Sequence, residues 1–195
     1  MRAQQSSDVT AAASDQRLFI AIACPPGPSV EAVLHELRTF AGTASGLRTV
    51  NRDTLHVTLK FLGGTPVSKI PAICAAMDAQ YRDVAPFTLQ LAGVGCFPGA
   101  LWLGVCADPV LTNLASRTDN AMATLGFATE THAFHPHVTL ARIKRNGRFA
   151  AAQWQERHQQ TVWEELPVTA INLYRSVTRP EGAVYTVLHS SELKG

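Results

Sequence analysis

Two tetrapeptides in this chain are identical: His56-Val57-Thr58-Leu59 and His137-Val138-Thr139-Leu140. Side chains alternate between the faces of a strand, so each stretch presents an imidazole and a hydroxyl side by side with aliphatic residues behind them. A lone His-x-Thr means little, but a second chance copy of all four residues is on the order of one in a few hundred. Two imidazoles and two small hydroxyls facing one cleft meet the needs of phosphodiester hydrolysis. A neutral imidazole takes a proton from water and a protonated one gives a proton to the departing oxygen, roles that histidine can fill near neutrality. The threonine hydroxyls donate to the non-bridging oxygens as charge builds there. A strained cyclic phosphate already has its leaving oxygen poised, so this chemistry requires no metal.

Neighbouring residues extend the candidate site. Lys60 has the same parity as His56 and Thr58, at a position that also suits a solvated strand end. Arg142 offers a bidentate phosphate clamp. It lies five positions past His137, on the opposite face unless the strand bulges. Phe61 and Phe134 are aromatic candidates for a base, although Phe61 and Trp102 are expected in the core. His132, His135 and His137 lie close together, but Pro136 distorts the run and no carboxylate or thiolate stands at ligand spacing. No metal and no cofactor are expected. The four cysteines, Cys24, Cys74, Cys96 and Cys106, form no C-x-x-C pair. They read as reduced, partly buried thiols.

The elements that must position these groups follow from periodicity and breakers. Residues 1–16 read as a mobile tail. Residues 18–23 form an apolar run, read as a buried strand rather than a signal segment, because Asp8 and Asp15 precede it. A helix is expected over 29–40 with Ser29 as its N-cap, then strands at 47–50 and 55–62, the second ended by Gly63-Gly64. A helix over 68–81, strands at 87–94 and 101–106, and a helix over 109–125 capped by Gly126 come next. The strand 137–143, a short helix over 149–159, and strands at 162–168, 170–174 and 184–189 complete the chain. The second motif begins at 137, 81 residues after the first at 56. Each motif strand has a helix before and after it. That order predicts an α+β fold of two related lobes, with antiparallel sheets and helices on their outer faces.

Composition sets the limits. Of 195 residues, 46% are hydrophobic and 16% charged, which suits a buried core. The formal net charge of +2 excludes bulk coating of nucleic acid, so any RNA contact is confined to a site. No segment has the length to span a bilayer, and a cytoplasmic location with no obligate protein partner is expected.

The chain resembles the 2H phosphoesterases, specifically the RNA 2′,3′-cyclic phosphodiesterase (2′-5′ RNA ligase-like) group. The resemblance rests on Arg17-Leu18-Phe19-Ile20-Ala21-Ile22 and on the first motif extended through Lys60-Phe61-Leu62-Gly63. It continues through Gly95-Cys96-Phe97-Pro98, Leu101-Trp102-Leu103-Gly104-Val105, Phe134-His135-Pro136 leading into the second motif with Ala141-Arg142, and Leu173-Tyr174-Arg175-Ser176. It implies a bilobal, pseudo-symmetric domain over 17–195 with both motifs lining a central cleft. It also implies conversion of RNA or nucleoside 2′,3′-cyclic phosphates to 2′-phosphates, and a related formation of 2′-5′ linkages. Within that family pattern His56 is the proton donor, His137 the proton acceptor, and Thr58 and Thr139 bind substrate. The rival readings are an RNA-end-binding module without turnover, a metal-dependent hydrolase, and an enzyme for another small cyclic phosphate.

Overall fold

The computed structural model describes residues 15–41, 46–145, 147–180 and 182–195. The expected tail lies outside the described residues except for its last two, and Gln16 already pairs with Thr65.

The strands are β1 (Gln16–Ala23), β2 (Leu47–Thr49), β3 (His56–Thr65), β4 (Phe87–Phe97), β5 (Ala100–Val105), β6 (His137–Ile143), β7 (Val162–Val168), β8 (Ala170–Arg179) and β9 (Gly182–Glu192). The helices are α1 (Pro28–Phe40), α2 (Ile70–Tyr81), α3 (Pro109–Thr124) and α4 (Ala151–His158). The strands run antiparallel in the order β7-β4-β5-β6-β3-β1-β8-β9, with β2 alongside β6. Two halves, β7-β4-β5-β6 and β3-β1-β8-β9, therefore present their motif strands to each other. They join at the pair Val57↔Val138, which makes the whole one nine-stranded sheet. The α+β class holds. Helix α1 packs on β2 and β7 and α4 on β4, while α2 and α3 pack on each other and on β9 and β3.

The core lies between this sheet and the helices. From β1 it takes Leu18, Ile20 and Ile22; from α1, Val30, Val33, Leu34 and Leu37; from the motif strands, Val57, Leu59, Val138 and Leu140. On the other face of β1, Phe19 and Ala21 are buried too, under Tyr174 and Tyr185. That explains why β1 reads as an unbroken apolar run.

Some expectations change. Gly63-Gly64 does not end β3, which pairs through both glycines to Thr65 opposite Gln16, and β4 runs on past Val94 to Phe97. Ser29 does not cap α1. Pro28 opens the helix and Gly27 precedes it, and the cap comes from Glu164 of β7, whose carboxylate accepts from Gly27 N–H at 2.8 Å and Val30 N–H at 3.5 Å. A carboxylate suits the positive end of a helix, and a Cβ at Gly27 would sit 2.6 Å from Glu164 Oε2. The late hairpin is also longer than periodicity suggests. Ser176 pairs with Tyr185 and Arg179 with Gly182, in a stretch whose side chains are largely exposed. With neither face in the core, no hydrophobic alternation marks it. The tip of this hairpin meets the other half, where Arg48 of β2 donates from Nη2 to the Pro180 carbonyl at 2.8 Å.

Candidate active site

Both motif strands contain a bulge at the fourth motif residue. Along β1 and β3, Ala21 pairs with Thr58 but Ile20 pairs with Lys60, leaving Leu59 as the extra residue. Along β5 and β6, Trp102 pairs with Thr139 but Leu101 pairs with Ala141, leaving Leu140 extra. An inserted residue shifts side-chain parity by one. His56 and Thr58 therefore share the cleft face with Phe61, and His137 and Thr139 share it with Arg142.

Lys60 is consequently turned away from the cleft. It is 3% exposed, and its Nζ lies 2.6 Å from the Asp119 carboxylate, 3.1 Å from Glu130 and 2.6 Å from the Ala128 carbonyl. Burial opposes its charge, and the two carboxylates outweigh that and raise its pKa. Neither a phosphate contact nor a solvated strand end survives for this residue. Phe61, expected in the core, is 59% exposed on the cleft face. Arg142 does reach the cleft, where its positive charge acts on both His56 and His137.

The two imidazoles are held in the same way. His56 Nδ1 lies 2.7 Å from the Thr54 carbonyl, and His137 Nδ1 lies 2.7 Å from the His135 carbonyl. A carbonyl only accepts, so each Nδ1 carries its hydrogen and donates it, leaving Nε2 for chemistry. The pKa of each ring is lowered. For His56, burial is the largest cause, offset by the Thr54 carbonyl and reinforced by the charges of His137 and Arg142. For His137, burial again leads, offset by the His135 carbonyl and reinforced by His135 and Arg142.

Each imidazole also has its own aromatic wall. Phe19 lies 4.9 Å from the His56 ring, and Tyr185 meets that ring edge-on at 5.3 Å. Phe19 stacks on Tyr174 at 5.1 Å. Phe97 meets His137 edge-on at 5.0 Å, with Trp102 at 6.1 Å. Trp102 was expected in the core. It is only partly buried, and its indole packs against Gly95, where a Cβ would come within 2.0 Å of the ring. His135 packs against Trp102 and Phe97. His132 is an exposed loop residue, and Phe134 packs at the margin of the core.

The structure thus brings together His56, Thr58, His137, Thr139 and Arg142. Sequence reasoning left out the wall formed by Phe19, Tyr185 and Phe97 and the orienting carbonyls of Thr54 and His135. Phe19 could have been found from its parity with Ala21 once β1 was read as covered on both faces. Among the described residues no three His, Cys, Asp or Glu side chains converge as metal ligands, and no helix is long and apolar enough to cross a membrane. All four cysteines are free, with Cys24 buried and its thiol pushed up to about 12 by burial and the Glu164 charge, while Cys96 is exposed rather than partly buried.

Comparison with known proteins converges on one family. Residues 25–179 match the model of the 2′-5′ RNA ligase superfamily. A Geobacillus stearothermophilus protein named RNA 2′,3′-cyclic phosphodiesterase is 36% identical over 133 residues, which are 64% of this chain and 41% of that protein. A Thermus thermophilus protein of the same name is 31% identical across 92% of this chain and 91% of its own. The crystal structure of E. coli LigT complexed with 3′-AMP superposes with a TM-score of 0.74 and 29% identity, covering 93% of this chain and 99% of that one.

Proposed function

Because the chain belongs to the 2′-5′ RNA ligase superfamily, we propose that it hydrolyses RNA or nucleoside 2′,3′-cyclic phosphates to 2′-phosphomonoesters, without a metal. The observation that carries this reading is the matched pair of imidazoles. Both present Nε2 from adjoining strands, each fixed by a carbonyl two residues upstream. The relatives named RNA 2′,3′-cyclic phosphodiesterase support it, as does the LigT complex with a nucleotide.

In this mechanism His137 Nε2 takes a proton from water as the water oxygen bonds to phosphorus. The bond from phosphorus to O3′ breaks, and His56 gives its Nε2 proton to O3′. The product is a 2′-phosphate beside a free 3′ hydroxyl. Thr58 and Thr139 donate hydrogen bonds to the non-bridging oxygens, and Arg142 balances their charge. The donor and acceptor roles follow the family pattern. With an RNA 5′ hydroxyl in place of water, the same displacement forms a 2′-5′ linkage.

The test is incubation with cyclic mononucleotides and RNAs bearing cyclic ends, in EDTA, with phosphorus NMR of the product. A 2′-phosphomonoester is expected. Tight binding without turnover would reduce the protein to an RNA-end-binding module. Activity lost to EDTA and restored by one divalent ion would overturn the metal-free mechanism.

A further inference from the structure

The positive charge of this chain is concentrated at one end of the β2–β6 ladder. Residues 131–155 contain no Asp or Glu and carry Arg142, Lys144, Arg145 and Arg148. Arg48 of β2 is the direct register partner of Arg142, so both stand on the same face of neighbouring strands. Lys144 N–H still bonds to the Gly46 carbonyl at 3.0 Å, so the ladder carries that face on to Lys144, the next residue of the same parity. Gly147 N–H donates to the Lys144 carbonyl at 2.8 Å, closing the turn that holds Arg145, with Arg148 just beyond it. On the other side Arg48 holds the Pro180 carbonyl, which brings the hairpin tip and its Arg179 to the same edge. All six cations are exposed. Among the described residues none of the six has a carboxylate partner, whereas Arg52 and Lys60 do. The whole chain carries only +2, so without these six residues it is net negative. Folding gives no reason for the arrangement, because like charges directly opposite each other across two strands destabilise a sheet. A polyanion lying over Arg48 and Arg142 removes that repulsion.

We infer that this basic strip, outside the cleft, holds the phosphodiester backbone of an RNA strand whose cyclic end occupies the cleft. The inference rests on the proposed reaction and chooses its substrate, an oligonucleotide rather than a mononucleotide. The strip starts at Arg142, whose charge acts on both motif histidines, and leads away from them over Lys144 and the turn on one side and Arg48 and the hairpin tip on the other. A mononucleotide ends at the first of these charges. A longer strand lays one further phosphate over the strip with each added nucleotide. Exposed Lys and Arg side chains contact phosphates and read no bases, so affinity should grow with strand length and be indifferent to sequence. An acidic peptide also complements the strip, but it has no cyclic phosphate to bring its end into the cleft.

The experiment compares cytidine 2′,3′-cyclic phosphate with a short single-stranded RNA ending in the same cyclic cytidine, over a series of KCl concentrations. KM for the RNA should be lower by about tenfold or more and should rise steeply with salt, with a much shallower rise for the mononucleotide. Each phosphate contact on a single strand contributes about 0.7 to the slope of log affinity against log salt. The triple variant Lys144→Gln, Arg145→Gln, Arg148→Gln should therefore reduce the slope for RNA by about 2 and raise its KM about tenfold or more. Its mononucleotide kinetics should stay as they are, which also reports an intact fold. Equal KM values for the two substrates in the natural protein would overturn the assignment. So would a triple variant whose effect is absent or equal on both. The same RNA with a 3′ hydroxyl, followed by fluorescence anisotropy, reads the strip without turnover and should bind with a similar salt slope. If it does while neither cyclic substrate is hydrolysed, the proposed reaction falls and the strip stands. Binding of a polyglutamate peptide as tight as that of the RNA would overturn the choice of RNA.

Discussion

Val57 and Val138 are register partners at the junction of the two half-sheets, and His56 and His137 each stand one residue from that rung. In an antiparallel pair the offset is crossed, so His56 lies toward Thr139 and His137 toward Thr58. The candidate site is consequently split across the junction, with each motif histidine placed by register opposite the other motif's threonine.

His56→Ala and His137→Ala should each lower kcat/KM by about a hundredfold to ten-thousandfold, the usual size of acid–base catalysis. The double variant should be little worse than either single one, since residues acting as one unit are not additive. A substrate with a nitrophenolate leaving group separates the roles, because it needs no proton on departure. On it, His56→Ala should be tolerated and His137→Ala should not. The reverse pattern would exchange donor and acceptor.

Thr58→Ala and Thr139→Ala should each lower kcat by roughly tenfold to a thousandfold, as for loss of one donor to developing charge. Thr→Ser at either position should retain most activity. Equal damage from serine and alanine in steady-state assays would assign the threonines to packing through their methyl groups.

The pH profile of kcat/KM should be bell-shaped and centred below 6.5, because burial and neighbouring positive charge lower both imidazoles from that value in the free protein. Bound phosphodiester adds negative charge, so the kcat profile should lie at higher pH. Arg142→Gln removes a positive charge felt by both rings, so both limbs of kcat/KM should move upward while KM rises. An unmoved profile would separate Arg142 from the histidines. The sign for stability is the same: the unfolded chain protonates these rings more readily, so stability falls as pH drops from above 6.5 toward the lowered values.

Lys60→Met should destabilise the fold by about 2–3 kcal/mol in urea unfolding. That is below the roughly 3–5 kcal/mol for breaking a fully buried pair, because Asp119 and Glu130 keep 18% and 52% of their side-chain surface exposed. A variant as stable as the natural protein would show that the three charges contribute nothing net.

The motif histidines and threonines were legible because one repeat and one parity rule place them. The strands and helices of the core were legible because periodicity tracks burial, as in α1 with Val30, Val33, Leu34 and Leu37. Three of the residues whose placement did not read out share a cause. Lys60, Phe61 and Arg142 all lie beyond a bulge, and nothing in Leu59 or Leu140 as residue types announces an inserted position. Trp102 looked like core because its strand is apolar, yet its face is decided by register with Thr139. The Glu164 cap comes from a residue 137 positions distant from Gly27, beyond any local pattern.

The clamp on each imidazole has a consequence for how such a site can arise and be moved. Each ring is oriented by the carbonyl two residues before it in its own segment, so the aim of the nitrogen travels with the peptide and asks nothing of the opposite half. A single copied segment therefore carries a complete, correctly aimed proton carrier wherever a strand accepts it. The proton affinity of each ring is then open to what its own half packs against it, Phe19 and Tyr185 on one side and Phe97 and Trp102 on the other. Grafting either pentapeptide, from the orienting residue through the threonine, onto another strand edge should transfer a histidine of defined tautomer, with its proton affinity set by the new neighbours.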